Sequence, residues 1–339
     1  MEVCSNCFSD KELKAFISST GANGNCKVCK SKNISLLSIN ELLDFFQELL
    51  DNFQKLKQGD TLKSKIQGGW SFFSTHVVAT RILNHILPLV NTEILNADNN
   101  VEYSDDIIEN IAYWETLKKD IKRSNRFLIN IQHLTEELGW DSFFNTQFEL
   151  TSKDNLYRAR VHHQSGLPAY LPNKMGCPPA DKASGGRANP SGIPYLYLSD
   201  NEATVLYEVR ASYLDELSVA TFNLKAHRKP IKIVDFTEDT SLYKPTNVNE
   251  TIKSRFLRDK ISQDLSKAMR RYDTEIEYIP TQFICEFIRI FTGAKGIRFT
   301  SSLHPSGKNI VIFDQKLMKC KSVKRKRINN INLTAIELS

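Results

Sequence analysis

Two Cys-x-x-Cys pairs, Cys4-Ser5-Asn6-Cys7 and Cys26-Lys27-Val28-Cys29, stand near the start of the sequence with 18 residues between them. No other feature restricts the folding of the chain as tightly. A turn at each pair can aim two thiolates at one ion, and the spacing fits a tetrahedral four-thiolate zinc site. Gly21 and Gly24 supply turn freedom ahead of the second pair. A segment of about 30 residues buries too little apolar surface to hold itself together, so a metal would supply the missing stabilisation. Four protein ligands leave no coordination position open. A zinc held by Cys4, Cys7, Cys26 and Cys29 is therefore expected to be structural, with four unligated thiols as the alternative. The total of seven cysteines is odd, which suits metal ligation in a reducing cytoplasm better than a disulfide framework.

The chain has 339 residues, enough for two domains of ordinary size, and 41% apolar with 25% charged residues argues against wholesale disorder. Its net charge of +6 invites a nucleic-acid reading, but the distribution weakens it. Lys316, Lys319, Lys321, Lys324, Arg325, Lys326 and Arg327 lie within one acid-free stretch and carry +7, leaving −1 for the rest. Lys319-Cys320-Lys321-Ser322-Val323 alternates like a strand, so the cluster is read as the solvated face of a terminal strand pair, with a nucleic-acid arm as the alternative. No apolar run is long enough to span a bilayer, and Met1 to Cys7 has neither a basic nor an apolar leader region, so a cytoplasmic protein is expected.

The organisation predicts an α+β protein in three parts. Residues 1–34 form the zinc segment and 35–147 an all-α domain. Ser38-Ile39-Asn40-Glu41 resembles a capping box, and apolar residues follow at 39, 42, 43, 46, 49, 50 and 53. Further helices are expected over 77–90, broken near Pro88, and over 104–122, with Trp70, Trp114 and Trp140 as core anchors. Residues 148–339 form a mixed α/β domain. Its strands are expected at 157–161, 195–198, 218–224, 231–236 and 309–313, and its helices at 203–211, 250–271 and 280–291.

Three stretches of this last domain carry chemistry. The loop Ser184-Gly185-Gly186-Arg187-Ala188-Asn189-Pro190-Ser191-Gly192 could bring backbone N–H groups close to an anion, with Arg187 forking onto phosphate oxygens. It is neither a Walker loop nor a dinucleotide G-x-G-x-x-G, and an ordinary surface loop is the rival reading. Strand 195–198 runs into a helix start, capped by Ser199 or Asp200, that carries Glu208. The third stretch, Gly296 to Pro305, ends a strand in Ser301-Ser302 beside a glycine turn.

Taken in order, Tyr157-Arg158-Ala159-Arg160-Val161, the glycine loop, Tyr195-Leu196-Tyr197-Leu198 with Glu208, and Tyr278 to Gln282 leading to Gly296 to Ser302 resemble the RES domain over about 150–320. The region upstream is similar, more loosely, to the HEPN-like domains that precede some RES domains. The resemblance implies an ADP-ribosyltransferase-like fold and cleavage of NAD+ at the nicotinamide–ribose bond, with phosphate or water as acceptor. It also implies a toxin role, with an antitoxin or regulatory partner and homo-oligomers among the possibilities. Carried over by position, Arg158, Glu208 and Ser301 would be the name-giving Arg, Glu and Ser. Arg160 and Ser302 would be their immediate alternatives, and Gly186, Arg187, Asn189 and Tyr197 further substrate contacts. Two other readings stand beside this one. An ADP-ribosyltransferase would pass the same ribose to a macromolecule. An RNA-binding or RNA-cleaving module would use the helical domain, where Arg126 and His133 lie at HEPN-motif spacing around an apolar stretch read as packed.

Overall fold

The computed structural model describes residues 1–244, 247–268 and 275–331 and divides into two compact units, each discontinuous in sequence. Helix and sheet are both well represented, so the fold is α+β.

The first unit comprises Met1–Glu115 and Asp239–Leu257. It begins with strand β1 (Glu2–Cys4), helix α1 (Lys11–Thr20), β2 (Ala22–Gly24) and β3 (Ile34–Ser38). The strands form a small antiparallel sheet in the order β1-β3-β2. Asp10 caps α1 by accepting from the Leu13 amide at 3.1 Å. Then come α2 (Leu43–Leu50), β4 (Phe53–Lys55), α3 (Leu62–Trp70), α4 (His76–Ile86), β5 (Val101–Tyr103) and the start of α5 (Asp105–Arg123). A tight turn over 87–89 carrying Pro88 ends α4 where the missing amide forbids continuation. The core gathers Phe8, Phe45, Phe46, Phe72 and Phe73, whose rings meet edge-on or tilted at 5.0–6.2 Å, except that Phe45 stacks on Phe72 at 5.7 Å.

The expectation of an all-α region over 35–147 is corrected here. Residues 34–38 belong to β3, and β4 pairs antiparallel with β5, placing Phe53 opposite Tyr103 with their rings stacked at 4.8 Å. Phe53 had continued the helical stripe of residues 39–50 in the sequence. Its partner lies 50 residues away, so local periodicity carried no trace of the pairing.

The second unit comprises Thr116–Glu238 and Arg258–Ser339. Its strands are β6 (Gln147–Leu150), β7 (Leu156–Val161), β8 (Leu196–Ser199), β9 (Glu216–Leu224), β10 (Ile231–Asp235), β11 (Gly296–Thr300), β12 (Lys308–Ile312) and β13 (Met318–Arg327). Helices α6 (Glu202–Glu208), α7 (Val248–Ser266, its first half in the other unit) and α8 (Ile279–Phe291) complete it. The eight strands form one sheet in the order β13-β9-β7-β8-β12-β11-β10-β6, antiparallel except for β10–β11. Leu196 and Leu198 of β8 and Ile310 and Ile312 of β12 bury on one face with Leu156, Phe222 and Ile233. Period-two alternation turns Tyr197, Ser199 and Asn309 to the other face.

Two helix boundaries differ from expectation. The cap of α6 is Asn201, which accepts from the Thr204 amide at 2.9 Å; Ser199 remains in β8. The helix stops at Glu208, because Arg210 takes a left-handed φ of 50° that a continuing helix cannot accept. The expected helix 250–271 is α7, and its expected end at Arg271 lies outside the described residues. The basic cluster lies on β13 and on the turn before it. Arg325 and Arg327 pair with buried Glu216, and Lys326 pairs with Glu202. The stretch between Arg126 and His133 is packed only in part: Ile129 and Ile131 are half-buried, but Phe127 and Leu128 are 89% and 90% exposed, and His133 pairs with Glu137 at 2.9 Å.

Candidate active site

Strand β7 pairs with β9 at six positions but with β8 only at Tyr157↔Ser199. Beyond that bridge β7 and β8 splay. Arg158 Nη1 donates to the Tyr197 carbonyl at 3.1 Å, across a gap that a ladder hydrogen bond would otherwise close. The splay opens a cleft of about 310 Å3, lined among others by Arg158, Arg187, Tyr197, Ser199, Glu208 and Asn309.

Two guanidinium groups face this cleft. Burial and the neighbouring Arg160 charge hold Arg158 below the ordinary arginine range, and its Nε is buried without a hydrogen-bond partner among the described residues. Arg187, lowered likewise by burial, donates from Nη1 to the carbonyls of Leu265 and Lys267, both at 2.6 Å. Neither arginine has a salt-bridge carboxylate among the described residues. Both remain charged, since a guanidinium does not deprotonate in proteins. Two half-buried cations with no ion-paired carboxylate among the described residues make the cleft a natural host for an anion.

Glu208 supplies the acid. Its Oε1 accepts from Ser301 Oγ at 2.6 Å and from Asn309 Nδ2 at 2.7 Å, while its other oxygen carries no hydrogen bond among the described residues. A carboxylate on the last residue of a helix faces the negative end of the dipole, and these two donors offset that cost. Asn309 is in turn held by Ser199 Oγ, which donates to its Oδ1 at 2.7 Å. Ser301 is 2% exposed, and its Oγ accepts from the amides of Leu303 and His304 at 3.3 and 3.1 Å. The loop after it is fastened to α6: Thr204 Oγ1 lies 2.9 Å from both Asn201 Oδ1 and His304 Nδ1 and hydrogen-bonds to each. Gly307 is required beside it, since a Cβ there would collide with Thr204 Oγ1.

The glycine loop does something other than cradle an anion. The Gly185, Gly186 and Ala188 amides donate to Ser191 Oγ, the Asn189 carbonyl and Tyr197 Oη. Tyr197 in turn donates to Asn189 Oδ1 at 2.7 Å, and burial pushes its phenol well above the ordinary range. A Cβ on Gly186 would come within 2.8 Å of both Asn189 Oδ1 and Tyr197 Oη. Gly186 and Asn189 therefore fold the loop onto Tyr197, and Arg187 is its contribution to the cleft. Thr281 and Gln282 fix the loop by donating to the carbonyls of Arg187 and Gly186 at 2.6 and 2.8 Å.

A family model described as the RES domain matches residues 155–334. The chain belongs to the RES family. No curated protein and no solved structure matches it at a significant level. Within the RES domain, Arg158, Arg187, Tyr197 and Glu208 line one cleft, and Ser301 touches it through Glu208. Arg160 does not line it; its Nη2 donates to the Gly176 carbonyl at 2.6 Å. Ser302 does not line it either. Asn309 received no site role from the sequence and Ser199 only that of a helix cap, although a lone amide beside Ile310-Val311-Ile312 was the available signal. His162 is buried, with Nε2 2.8 Å from Ser218 Oγ and no place in the cleft.

In the first unit, the sulfurs of Cys4, Cys7, Cys26 and Cys29 lie within 4.8 Å of one another, with Cys4–Cys7 at 3.8 Å, Cys7–Cys26 at 3.6 Å and Cys4–Cys29 at 3.3 Å. Four sulfurs about 2.3 Å from a central ion would stand roughly 3.8 Å apart, so the cluster fits one tetrahedral metal. No helix among the described residues is long and apolar enough to cross a membrane.

Proposed function

We propose that the RES domain cleaves the nicotinamide–ribose bond of NAD+, on a scaffold of the ADP-ribosyltransferase type, with phosphate or water as acceptor. The reading rests on one juxtaposition above all: two arginines without acid partners share a cleft with an anchored carboxylate. The arginines suit the pyrophosphate, where planar donors hold oxygens in pairs. Glu208 suits the ribose. As the C1′–N bond breaks, its electron pair neutralises the nicotinamide ring, which needs no acid to leave, and positive charge builds on the sugar. Fixing Oε1 through Ser301 and Asn309 leaves the other carboxylate oxygen to face that charge or hold a ribose hydroxyl. A phosphate or water oxygen then closes on C1′, water losing a proton in the process. Arg158, Arg187 and Tyr197 bind and orient; Glu208 stabilises charge; Ser301 and Asn309 position Glu208.

A cell losing NAD+ in this way would stop growing, which supports a toxin role kept in check by a partner protein. The four-thiol cluster is proposed to hold zinc for folding alone, in a unit that regulates or assembles the enzyme. The test is incubation of purified protein with NAD+ and detection of free nicotinamide, with and without phosphate. Release that Glu208→Ala abolishes, with ADP-ribose or its 1-phosphate as co-product, is expected. Intact NAD+ beside cellular toxicity that Glu208→Ala relieves would overturn the substrate. Label transferred to a macromolecule would move the reaction to ADP-ribosyl transfer.

A further inference from the structure

Arg187 lines a second, smaller cavity of about 90 Å3, whose other walls include Lys118, Lys122, Lys267, Asp264 and Glu277. Lys118 and Lys122 lie one turn apart on α5 and so share a face. Lys118 pairs with Asp264 and Lys122 with Glu277, each at 2.8 Å; Lys267 reaches Glu277 only at 3.9 Å and is 62% exposed. Four cations thus line the cavity against two carboxylates. Three of those cations are more than half withdrawn from solvent, where a charge surplus is costly and an incoming anion is worth more than in water.

One feature opposes an anion here. The C-terminal end of α7 borders the cavity at Asp264 and Lys267, and helix C-termini repel negative charge. Arg187 removes that objection by donating into the Leu265 and Lys267 carbonyls. Tyr278 and Thr281 complete the wall, the Thr281 hydroxyl spending its proton on the Arg187 carbonyl rather than on a ligand. The volume admits several waters or one tetrahedral oxyanion and is too small for a base or a sugar.

We infer that this cavity is a binding site for a phosphate dianion, separated from the catalytic cleft by the Arg187 side chain. The dianion comes either free, as inorganic phosphate held for the acceptor role, or as a phosphate monoester on the dinucleotide, as in NADP+. The binding assignment stands on charge and volume; its service to the reaction rests on the NAD+ reading.

The experiment uses the full chain and titrates inorganic phosphate by calorimetry, then compares nicotinamide release from NAD+ and NADP+ across phosphate concentrations. Lys267→Gln removes the loosely paired, exposed cation and should leave folding intact; Lys122→Gln and the charge-keeping Lys122→Arg complete the set. Each Gln variant is expected to weaken phosphate binding about tenfold, the value of one charge-assisted hydrogen bond, while Lys122→Arg retains it. If the free ion is the ligand, phosphate stimulates release from NAD+ and the Gln variants require more of it. If the ester is the ligand, free phosphate binds weakly, and NADP+ has a lower KM than NAD+ by a margin the Gln variants erase. Phosphate binding that depends on these lysines in a protein inert toward NAD+ would uphold the site and sink the reaction. Phosphate affinity and NADP+ preference both untouched by Lys267→Gln and Lys122→Gln would overturn the site.

Discussion

The four-cysteine cluster and the RES cleft bring together similar numbers of reactive side chains by opposite routes. The cysteines come from two short turns within 26 residues, and their own spacing encodes their meeting. The cleft draws Arg158, Arg187, Tyr197, Glu208 and Asn309 from 152 residues of chain, and they meet only because β7, β8 and β12 are neighbours in the sheet. The first arrangement should fail by unfolding when its centre is lost. The second sits on a core that does not need it, and should fail chemically while the fold survives.

The largest expected effect tests the first half of that contrast. Stripping metal with a chelator, or changing Cys7 to Ala, should unfold the first unit, since structural zinc sites supply on the order of 10 kcal/mol. Metal content by mass spectrometry and a thermal melt read the outcome; an unchanged melt after complete metal loss would break the comparison. The second half is tested by Glu208→Gln. Nicotinamide release should fall about a hundred- to a thousand-fold, as for loss of a charge-stabilising group, with the circular dichroism spectrum and melt preserved.

Smaller effects sharpen the picture of the cleft. Ser301→Ala and Asn309→Ala should each lower kcat about tenfold, because Glu208 loses one of two donors. In the Glu208→Gln background neither should lower it much further, a non-additivity that plain destabilisation would not produce. Tyr197→Phe releases the glycine loop from its Asn189 anchor and should raise KM several-fold with kcat less affected.

The smallest effect concerns the basic strand. Hydrogen bonds from Arg327, the Gly166 amide and Arg325 hold the Glu216 carboxyl well below its ordinary value of 4.5. The stability it contributes is therefore present above that pH and is lost as pH falls below it. Glu216→Gln should lower Tm at neutral pH and flatten the acid side of the Tm–pH curve. An unchanged acid limb would mean that these arginines are not tied to Glu216 in solution.

Local texture made much of this molecule readable. The strands expected over 157–161, 195–198, 218–224, 231–236 and 309–313 fall within two residues of those bounds, because each strand's inward face is written in its own residues, whereas β13 runs four residues past its alternating stretch and β6 was not foreseen. The β4–β5 pair was illegible, since Phe53 fits a helical stripe as well as a strand until Tyr103 lies opposite it. The exposure of Phe127 and Leu128 was illegible for a related reason: an apolar residue reports a preference for burial, not whether the fold has a place to bury it.

The sequence by itself determined the convergence of the four cysteines, the α+β character and the ordered set of residues that mark the RES family. Each of these lives in spacing along the chain. Only the tertiary structure decided that Arg158 rather than Arg160 faces the cleft, that Ser301 reaches Glu208, and that Asn309 joins them. Those choices follow from where β7 parts from β8 and which strand lies next to it, and strand order is set by packing across the whole sheet. The same holds for residues 239–257, whose Leu242, Val248 and Ile252 find their core among residues of the first unit nearly 200 positions earlier. Burial of apolar surface has no sense of sequence distance, so it can assign a segment to a core that no local pattern names.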